Sequence, residues 1–395
     1  MAKKTVRYYL LLSLLYRFSN TCFAATYVTF LMSRGGLNLF QVNMVNFIFF
    51  ATMFLTEIPT GAVADCFGRK LSFLISCSIN CVSLLVYALS HTFTGFATAE
   101  AMGAVGSTFS SGAFQAWVVD SLNHHGYQED FGKLFARQNQ LGNLVGMGAA
   151  IIGAHLATIN PAFPWFLSAA FVFATGVVAI FVMREDYREK SSINLLATAK
   201  EFGRKFVVSA QTIRAGGPVT LMMLLGLVYS IGVQAPNMQW QPYFRKHFAS
   251  EAELGYLWAG VSLAIIIGSQ MSAMMRRGPA FERLALIGTQ VSIGLFIALA
   301  GIQSPWMLSV LFYLIHEAGR GMFSPLKDAY LNDAIQKEER ATLLSCGSIS
   351  SHIGSMVGLV MSGLMANRLS IAPTWIVSGI FLVVGTLAVS RIKRT

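Results

Sequence analysis

Charged side chains inside long apolar runs are the residues of this chain with the clearest chemical potential. A charge in an apolar environment is costly, so each one calls for a ligand, a proton or a neutralising partner. An arginine there could bind an acidic solute, and a desolvated carboxyl could carry a proton near neutral pH. The five residues are Arg17, Glu57, Glu100, Glu317 and Arg320.

Polar companions occur at helical spacing on the same runs. Residues three apart share one face of a helix. This spacing joins Arg17 to Asn20, Gln234 to Asn237 and Glu317 to Arg320, and His316 adds a titratable ring beside the last pair. We expect these stripes to face water or protein rather than lipid.

For most of these charges a structural role competes with a functional one. Glu317 and Arg320 either neutralise one another as a buried pair or take part in substrate binding. Glu57 either fixes its helix to a neighbour or carries a proton. Arg17 is the candidate for contact with a substrate or counter-charge, and Glu100 is the candidate proton carrier.

The apolar runs predict a membrane protein. The chain has 395 residues, of which 54% are hydrophobic and only 12% are charged, less charge than a soluble surface needs. Twelve runs reach the roughly 20 residues that a membrane-spanning helix requires. The predicted fold class is therefore an all-α membrane protein with twelve transmembrane helices.

The net charge of +11 follows from the predicted topology. Lysines and arginines concentrate on one side of the twelve helices, and such residues mark the cytoplasmic side. The exceptions on the other side are Arg34, Arg245, Lys246 and Arg368. We expect a multi-pass protein of the bacterial inner membrane with both termini in the cytoplasm, a lipid bilayer as its surroundings and no nucleic-acid partner.

The chain is expected to divide into two six-helix bundles, residues 1–183 and 218–395, joined by a cytoplasmic linker, 184–217. The linker predicts an amphipathic helix on the membrane surface, because its apolar residues recur at helical spacing. A faint repeat relates the halves: a shift of 213 residues places Gly106 on Gly319. The same shift places Asp65 on Gly278, so the second copy has lost that acid.

The stretch from Glu57 to Lys70 passes from one apolar run to the next through a short charged turn. Gly61 is expected to allow close approach of a neighbouring helix, Gly68 to permit a tight turn, and Asp65 to pair with Arg69 one helical turn later. The stretch resembles the loop 2-3 signature of the major facilitator superfamily, a large family of secondary transporters. The residues that carry the resemblance are Gly61, Ala64, Asp65, Gly68, Arg69 and Lys70.

This resemblance implies two pseudo-symmetric six-helix bundles whose first, fourth, seventh and tenth spans line a central cavity. The charged and polar stripes described above fall on those spans. It also implies a cytoplasmic gating latch that holds the two halves together during part of the transport cycle. The residues assigned to the latch are Gly61, Asp65, Gly68, Arg69, Lys70, Asp120, Arg137, Asp333 and Arg340.

The fifth run departs from the pattern of antiporter members, which often carry a Gly-Pro pair there. It contains several glycines that permit close helix packing, with no proline between them. These glycines are Gly142, Gly146, Gly148 and Gly153.

The sequence thus predicts a secondary active transporter that works by alternating access, most simply a proton-coupled exporter of an amphipathic or drug-like compound. One alternative is uptake of an organic anion or siderophore by proton symport or facilitated diffusion. Another is a transporter-like receptor or assembly protein. No phosphate-binding loop, metal-ligand spacing or cofactor motif is present, so we expect neither an enzyme nor a cofactor, and a monomer whose partners are a small-molecule substrate and protons.

Overall fold

The computed structural model describes residues 1–185, 217–275, 278–302, 305–334 and 340–391, with side chains omitted at 58, 218, 279, 280, 332–334 and 340–346. Across these ranges the chain is helical and contains no strand. The predicted amphipathic helix of the linker falls on residues 186–216 and lies outside the description.

Helices α1 to α8 occupy the first half of the chain, and a short 3-10 turn, Ala24–Thr26, follows α1. Their bounds are α1 Ala2–Cys22, α2 Tyr27–Gly35, α3 Leu39–Phe67, α4 Arg69–Leu89, α5 Phe93–Ser110, α6 Ala113–His124, α7 Phe131–Ile159 and α8 Phe163–Val182. In the second half, they are α9 Pro218–Gly232, α10 Gln234–Arg245, α11 Ala252–Met274, α12 Pro279–Ile302, α13 Trp306–Ala334, α14 Arg340–Leu369 and α15 Ile371–Ser390.

Nine helical segments in the described ranges are long and apolar enough to cross a membrane. The predicted first, fourth and tenth spans fall outside this set. Those spans are the ones that carry Arg17, Glu100 and Glu317, and the first and fourth are also interrupted, after Cys22 and after Ser110. The all-α membrane fold is confirmed, and the count of twelve crossings stays a prediction.

Two compact units form. The first consists of Met1–Leu37, Ile48–Ala199 and Phe248–Ala259, and the second of Asn38–Phe47, Lys200–His247 and Gly260–Thr395. The start of α11 belongs to the first unit, where Gly255 packs directly on α7 at Ala154. The start of α3 belongs to the second unit, where the Asn43 amide donates to the Leu359 carbonyl on α14 over 2.8 Å.

Each unit has a buried tryptophan in an aromatic cluster. In the first unit, Trp165 stacks on Phe23 and on Tyr87, each with ring centroids 4.3 Å apart. In the second unit, Trp375 packs against Tyr243 with centroids 4.4 Å apart. Such rings bury large apolar areas, which fixes the ends of the helices that carry them.

The internal repeat is visible in the packing of the third and fourth spans. Gly106 on α5 packs against Asn80 on α4, and Gly319 on α13 packs against Ile293 on α12. Each residue of the first pair corresponds to a residue of the second pair by the predicted shift of 213 residues: Gly106 to Gly319 and Asn80 to Ile293.

The loops that precede α4 and α12 are related by a different shift in residue number. This difference corrects the predicted match of Asp65 with Gly278. Gly68 has φ 108°, Gly278 has φ 103°, and each immediately precedes the next helix. These two glycines therefore correspond, with a shift of 210 residues, and Asp65 corresponds to Met275. The difference arises because α12 has 24 residues and α4 has 21. The second copy lacks the acid under either match.

Candidate functional site

A buried charge pair lies in the middle of α13. Arg320 Nη1 donates to Glu317 Oε1 over 2.7 Å, and the Glu317 side chain is buried. Arg320 Nε also donates to the hydroxyl of Tyr229 on α9 over 3.4 Å. The spacing of three residues on one helix predicted the pair, whereas Tyr229 was missed because it lies 91 residues away in sequence.

Two further groups surround this carboxylate. His316 Nδ1 donates to the Ile293 carbonyl over 3.0 Å, which leaves Nε2 facing Glu317 Oε1 at 3.7 Å. Tyr313 lies beside Glu317 and is also buried. Glu317 Oε2 makes no hydrogen bond to the described residues. The arrangement can hold one proton at Glu317 or at His316, and it offers a single cation to balance the ionised carboxylate.

Arg17 lies on α1 and is exposed in the structure. Its Nη2 donates to Asn143 Oδ1 on α7 over 3.3 Å, and it forms no ion pair with the residues described. The guanidinium lies along α7 where Gly142 and Gly146 leave room, since a Cβ at Gly146 would be 3.3 Å from Arg17 Nε. Asn20 on the same helix is exposed as well. An exposed guanidinium held by one neutral amide is suited to bind an anionic group.

Glu100 is buried between α5 and α4, where it accepts a hydrogen bond from the Tyr87 hydroxyl. Tyr87 in turn stacks on Trp165, with ring centroids 4.3 Å apart. The structure therefore places this carboxyl beside the aromatic cluster of the first unit.

The remaining predicted site residues are more scattered. Glu57 is exposed on α3. Gln234 is buried at the start of α10 and donates to the Ser230 carbonyl over 3.2 Å, and Asn237 one turn later is half-buried. The two predicted residues of α10 are uncharged, so they add no charge to the cluster around Glu317.

The charged turn between α3 and α4 is built as predicted at two points. Gly68 adopts the left-handed φ of 108° that a tight turn requires, and Arg69 pairs with Asp65 over 2.6 Å. The pair forms although α3 ends at Phe67 and the next helix starts at Arg69. Among the described residues a Cβ at Gly61 would meet no atom within 4 Å, so the structure shows no close helix approach at this glycine.

A residue that sequence reasoning missed completes this turn. Glu185 Oε1 accepts hydrogen bonds from the backbone amides of Arg69, over 2.7 Å, and Lys70, over 3.1 Å. A carboxylate at the first amides of α4 is favoured by the helix dipole. Lys70 Nζ donates to the Ile180 carbonyl near the end of α8 over 2.7 Å. The turn is thereby attached to the end of the sixth span.

The other predicted latch residues are not joined by visible contacts. Asp120 is half-buried on α6, Arg137 is exposed on α7, and no ion pair links them. Asp333 and Arg340 fall among the side chains outside the description. The latch therefore has one formed pair in the described side chains, Asp65 with Arg69.

Comparisons with known proteins agree with this architecture. The family model described as Major Facilitator Superfamily matches residues 9–315 and 222–394. The MFS-type transporter YxaM of Bacillus subtilis (strain 168) is 20% identical over 388 residues, covering 92% of this chain and 89% of YxaM. Multidrug resistance protein 1 of the same organism is 23% identical over 158 residues, 40% of each chain. The crystal structure of nucleoside transporter NupG superposes with a TM-score of 0.76 at 14% identity, covering 98% of both chains.

Proposed function

Because the chain belongs to the Major Facilitator Superfamily and is a secondary transporter rather than an enzyme, we propose that it exports a small amphipathic compound in exchange for protons. The observation that carries this proposal is the buried pair of Glu317 and Arg320 in the membrane, with His316 and Tyr313 around the carboxylate. Relatives named for multidrug resistance favour export of a drug-like compound. The protein would act as a monomer in the bacterial inner membrane, with both termini in the cytoplasm.

The proposed coupling step is the protonation of Glu317. When the carboxylate takes up a proton it loses its charge, so the pairing with Arg320 is weakened. The guanidinium then keeps its hydrogen bond to Tyr229, and its uncompensated charge repels a cationic substrate such as ethidium. Breaking a buried ion pair costs about 3–5 kcal/mol if the remaining charge finds no partner. Proton uptake and substrate release would then be linked through the charge of Glu317, as alternating access with exchange requires.

Glu317 is a better candidate than Glu100, the carrier expected from sequence. Glu317 has both a cation and an imidazole within 4 Å. Glu100 accepts a hydrogen bond from the Tyr87 hydroxyl, whose ring stacks on Trp165.

The proposal is tested with purified protein in proteoliposomes and ethidium as an amphipathic probe. An imposed pH gradient should drive ethidium against its concentration gradient. Movement of ethidium down its concentration gradient should not require the pH gradient. Accumulation of ethidium that is the same with and without a pH gradient would contradict proton coupling.

Arg17 favours a second candidate, the transport of an organic anion. It is an exposed cation on a membrane helix with no ion-pair partner in the described ranges. A carboxylate or phosphate group of a substrate would supply the missing partner.

Replacing Arg17 with alanine is expected to weaken the binding of an organic anion such as carboxyfluorescein by at least about tenfold, since a charged hydrogen bond contributes about 1.5–3 kcal/mol. Fluorescence anisotropy with detergent-solubilised protein measures the affinity. Arg7→Ala is the matched control, because Arg7 is an exposed arginine on the same helix. Equal affinities of the two variants would exclude Arg17 from an anion site.

We also propose that Asp65 and Arg69 work as a latch that must open in every transport cycle. Asp65→Asn removes the charge of this exposed pair, which contributes only about 0–1 kcal/mol to stability. We expect turnover to fall by roughly fivefold or more, the lower end of usual conformational coupling, with substrate affinity unchanged. Rates and affinities measured in the same proteoliposomes check this. A loss of affinity at unchanged maximal rate would argue against a latch.

A further inference from the structure

The second unit contains a long apolar groove on its membrane helices. Its volume is about 770 Å³, within the range of ligand pockets, and it is enclosed by α11, α12 and α13. Leu263 and Ile267 on α11 and Leu284 on α12 form its walls and are each about half exposed or more. Ala318 and Gly319 on α13 form its floor.

Small residues explain why the groove has this shape. Gly268 on α11 lies directly against the Ala318 carbonyl, and Gly321 on α13 lies directly against the Ile265 carbonyl. On the other side, Gly319 packs on Ile293 of α12. The floor helix thus contacts both walls closely. At Gly288 on the α12 wall, an added Cβ would meet no atom of the described residues within 4 Å.

The position of the groove indicates what fills it. Both wall helices are apolar enough to span the membrane, and the lining is apolar apart from Thr289 and Ser292. One end is formed by Met275 and Phe281, where α11 ends and α12 has just begun. From Met275 to Gly260 the groove runs along about 22 Å of helix. This exceeds the roughly 15 Å of hydrocarbon in one leaflet, so the groove is long enough to hold an acyl chain of one leaflet.

A basic residue near this end favours an anionic headgroup. Arg283 lies in the first turns of α12, two residues after Phe281, and its Nη2 donates to the Ser390 carbonyl over 2.9 Å. Basic residues at the membrane surface attract anionic lipids.

We propose that this groove binds one acyl chain of an anionic phospholipid from the adjoining leaflet. The bound chain supports α13 from behind, at the turn whose Ala318 and Gly319 lie between Glu317 and Arg320. The site thereby gives the transporter a lipid contact directly behind its proposed coupling pair, and lipid binding itself does not depend on the proposed transport reaction.

The test uses protein in nanodiscs that contain phosphatidylglycerol with a diazirine in its acyl chain. After illumination, labelled peptides should come mainly from the groove segments of α11, α12 and α13. Equal labelling of exposed apolar residues elsewhere, such as Phe181 and Val384, would show ordinary surrounding lipid and overturn the proposal. Groove segments that stay unlabelled in nanodiscs holding two copies of the chain would show that a second copy covers the groove and would also overturn the proposal.

Gly288→Phe fills the groove without meeting the backbone of a neighbour. We expect groove labelling to fall at least fivefold in this variant. Gly148→Phe on α7 is the matched control, because a Cβ at Gly148 likewise meets no atom within 4 Å. Unchanged labelling in Gly288→Phe would reject the site. Labelling of the wild-type protein decides the question even if the variant does not fold.

Discussion

Replacing Glu317 with glutamine is expected to abolish proton-driven accumulation of an amphipathic probe, with a loss of at least roughly tenfold, or about 1.4 kcal/mol. Glutamine has nearly the same shape as glutamate but cannot release a proton or pair ionically with Arg320. Downhill movement of the probe should persist, because the binding groups elsewhere are unchanged. Accumulation driven by an imposed pH gradient in proteoliposomes measures the first quantity, and counterflow of labelled probe measures the second.

Glu100→Gln is the control for this experiment. Glu100 is another buried glutamate, and glutamine can still accept the hydrogen bond from Tyr87. We expect this variant to keep proton-driven accumulation. If Glu100→Gln lost coupling and Glu317→Gln retained it, the carrier expected from sequence would be the correct one.

A double variant separates coupling from a purely structural ion pair. Substituting both members of a buried pair with neutral residues of similar volume is often tolerated, whereas removing one member leaves an uncompensated charge. If the pair is only structural, Glu317→Gln combined with Arg320→Met should restore the transport that Glu317→Gln loses. Under the proposed mechanism the double variant folds but stays uncoupled.

The second large effect is expected at Gly153 on α7. A Cβ at this position would overlap the carbonyl oxygen of Cys22 at the end of α1. Backbone cannot move aside as a flexible side chain can, so Gly153→Leu should cost about 3 kcal/mol or more, the upper range for overpacking. We expect little folded protein by fluorescence-detected size exclusion and a clearly lower melting temperature.

Gly148→Leu is the matched control for this substitution, because it lies on the same helix and faces open space in the structure. It should behave like the wild-type protein in both assays. If the two leucine variants were equally stable, α1 and α7 would not be in close contact at Gly153.

Features set by local sequence were predictable. Long apolar runs predicted the helical membrane fold, and spacing of three or four residues predicted the pairs of Glu317 with Arg320 and of Asp65 with Arg69. The need for a left-handed residue before α4 was predictable from Gly68. The two ion pairs join residues within one helical turn along the chain, and the other features depend on single residues or continuous runs, so no knowledge of packing was needed.

Features set by packing between distant segments were not predictable from one sequence. Glu185 binds amides more than a hundred residues away, and Tyr87 reaches Glu100 from the neighbouring helix. The different length of α12 displaced the match of Gly278 by three residues, because a repeat shift found on the fourth and tenth spans need not hold on the other side of an inserted turn. Gly61 is a predicted close contact that the structure does not show, because glycine permits close packing without requiring it.

The most direct test of the central claim measures proton movement that is driven by the substrate itself. Proteoliposomes are loaded with a trapped pH indicator and given an ethidium gradient but no pH gradient. The wild-type protein should change the internal pH as ethidium moves, and Glu317→Gln should move ethidium without changing the pH. Ethidium movement through the wild-type protein with no change of internal pH, or an equal pH change in the variant, would contradict the proposed coupling through Glu317.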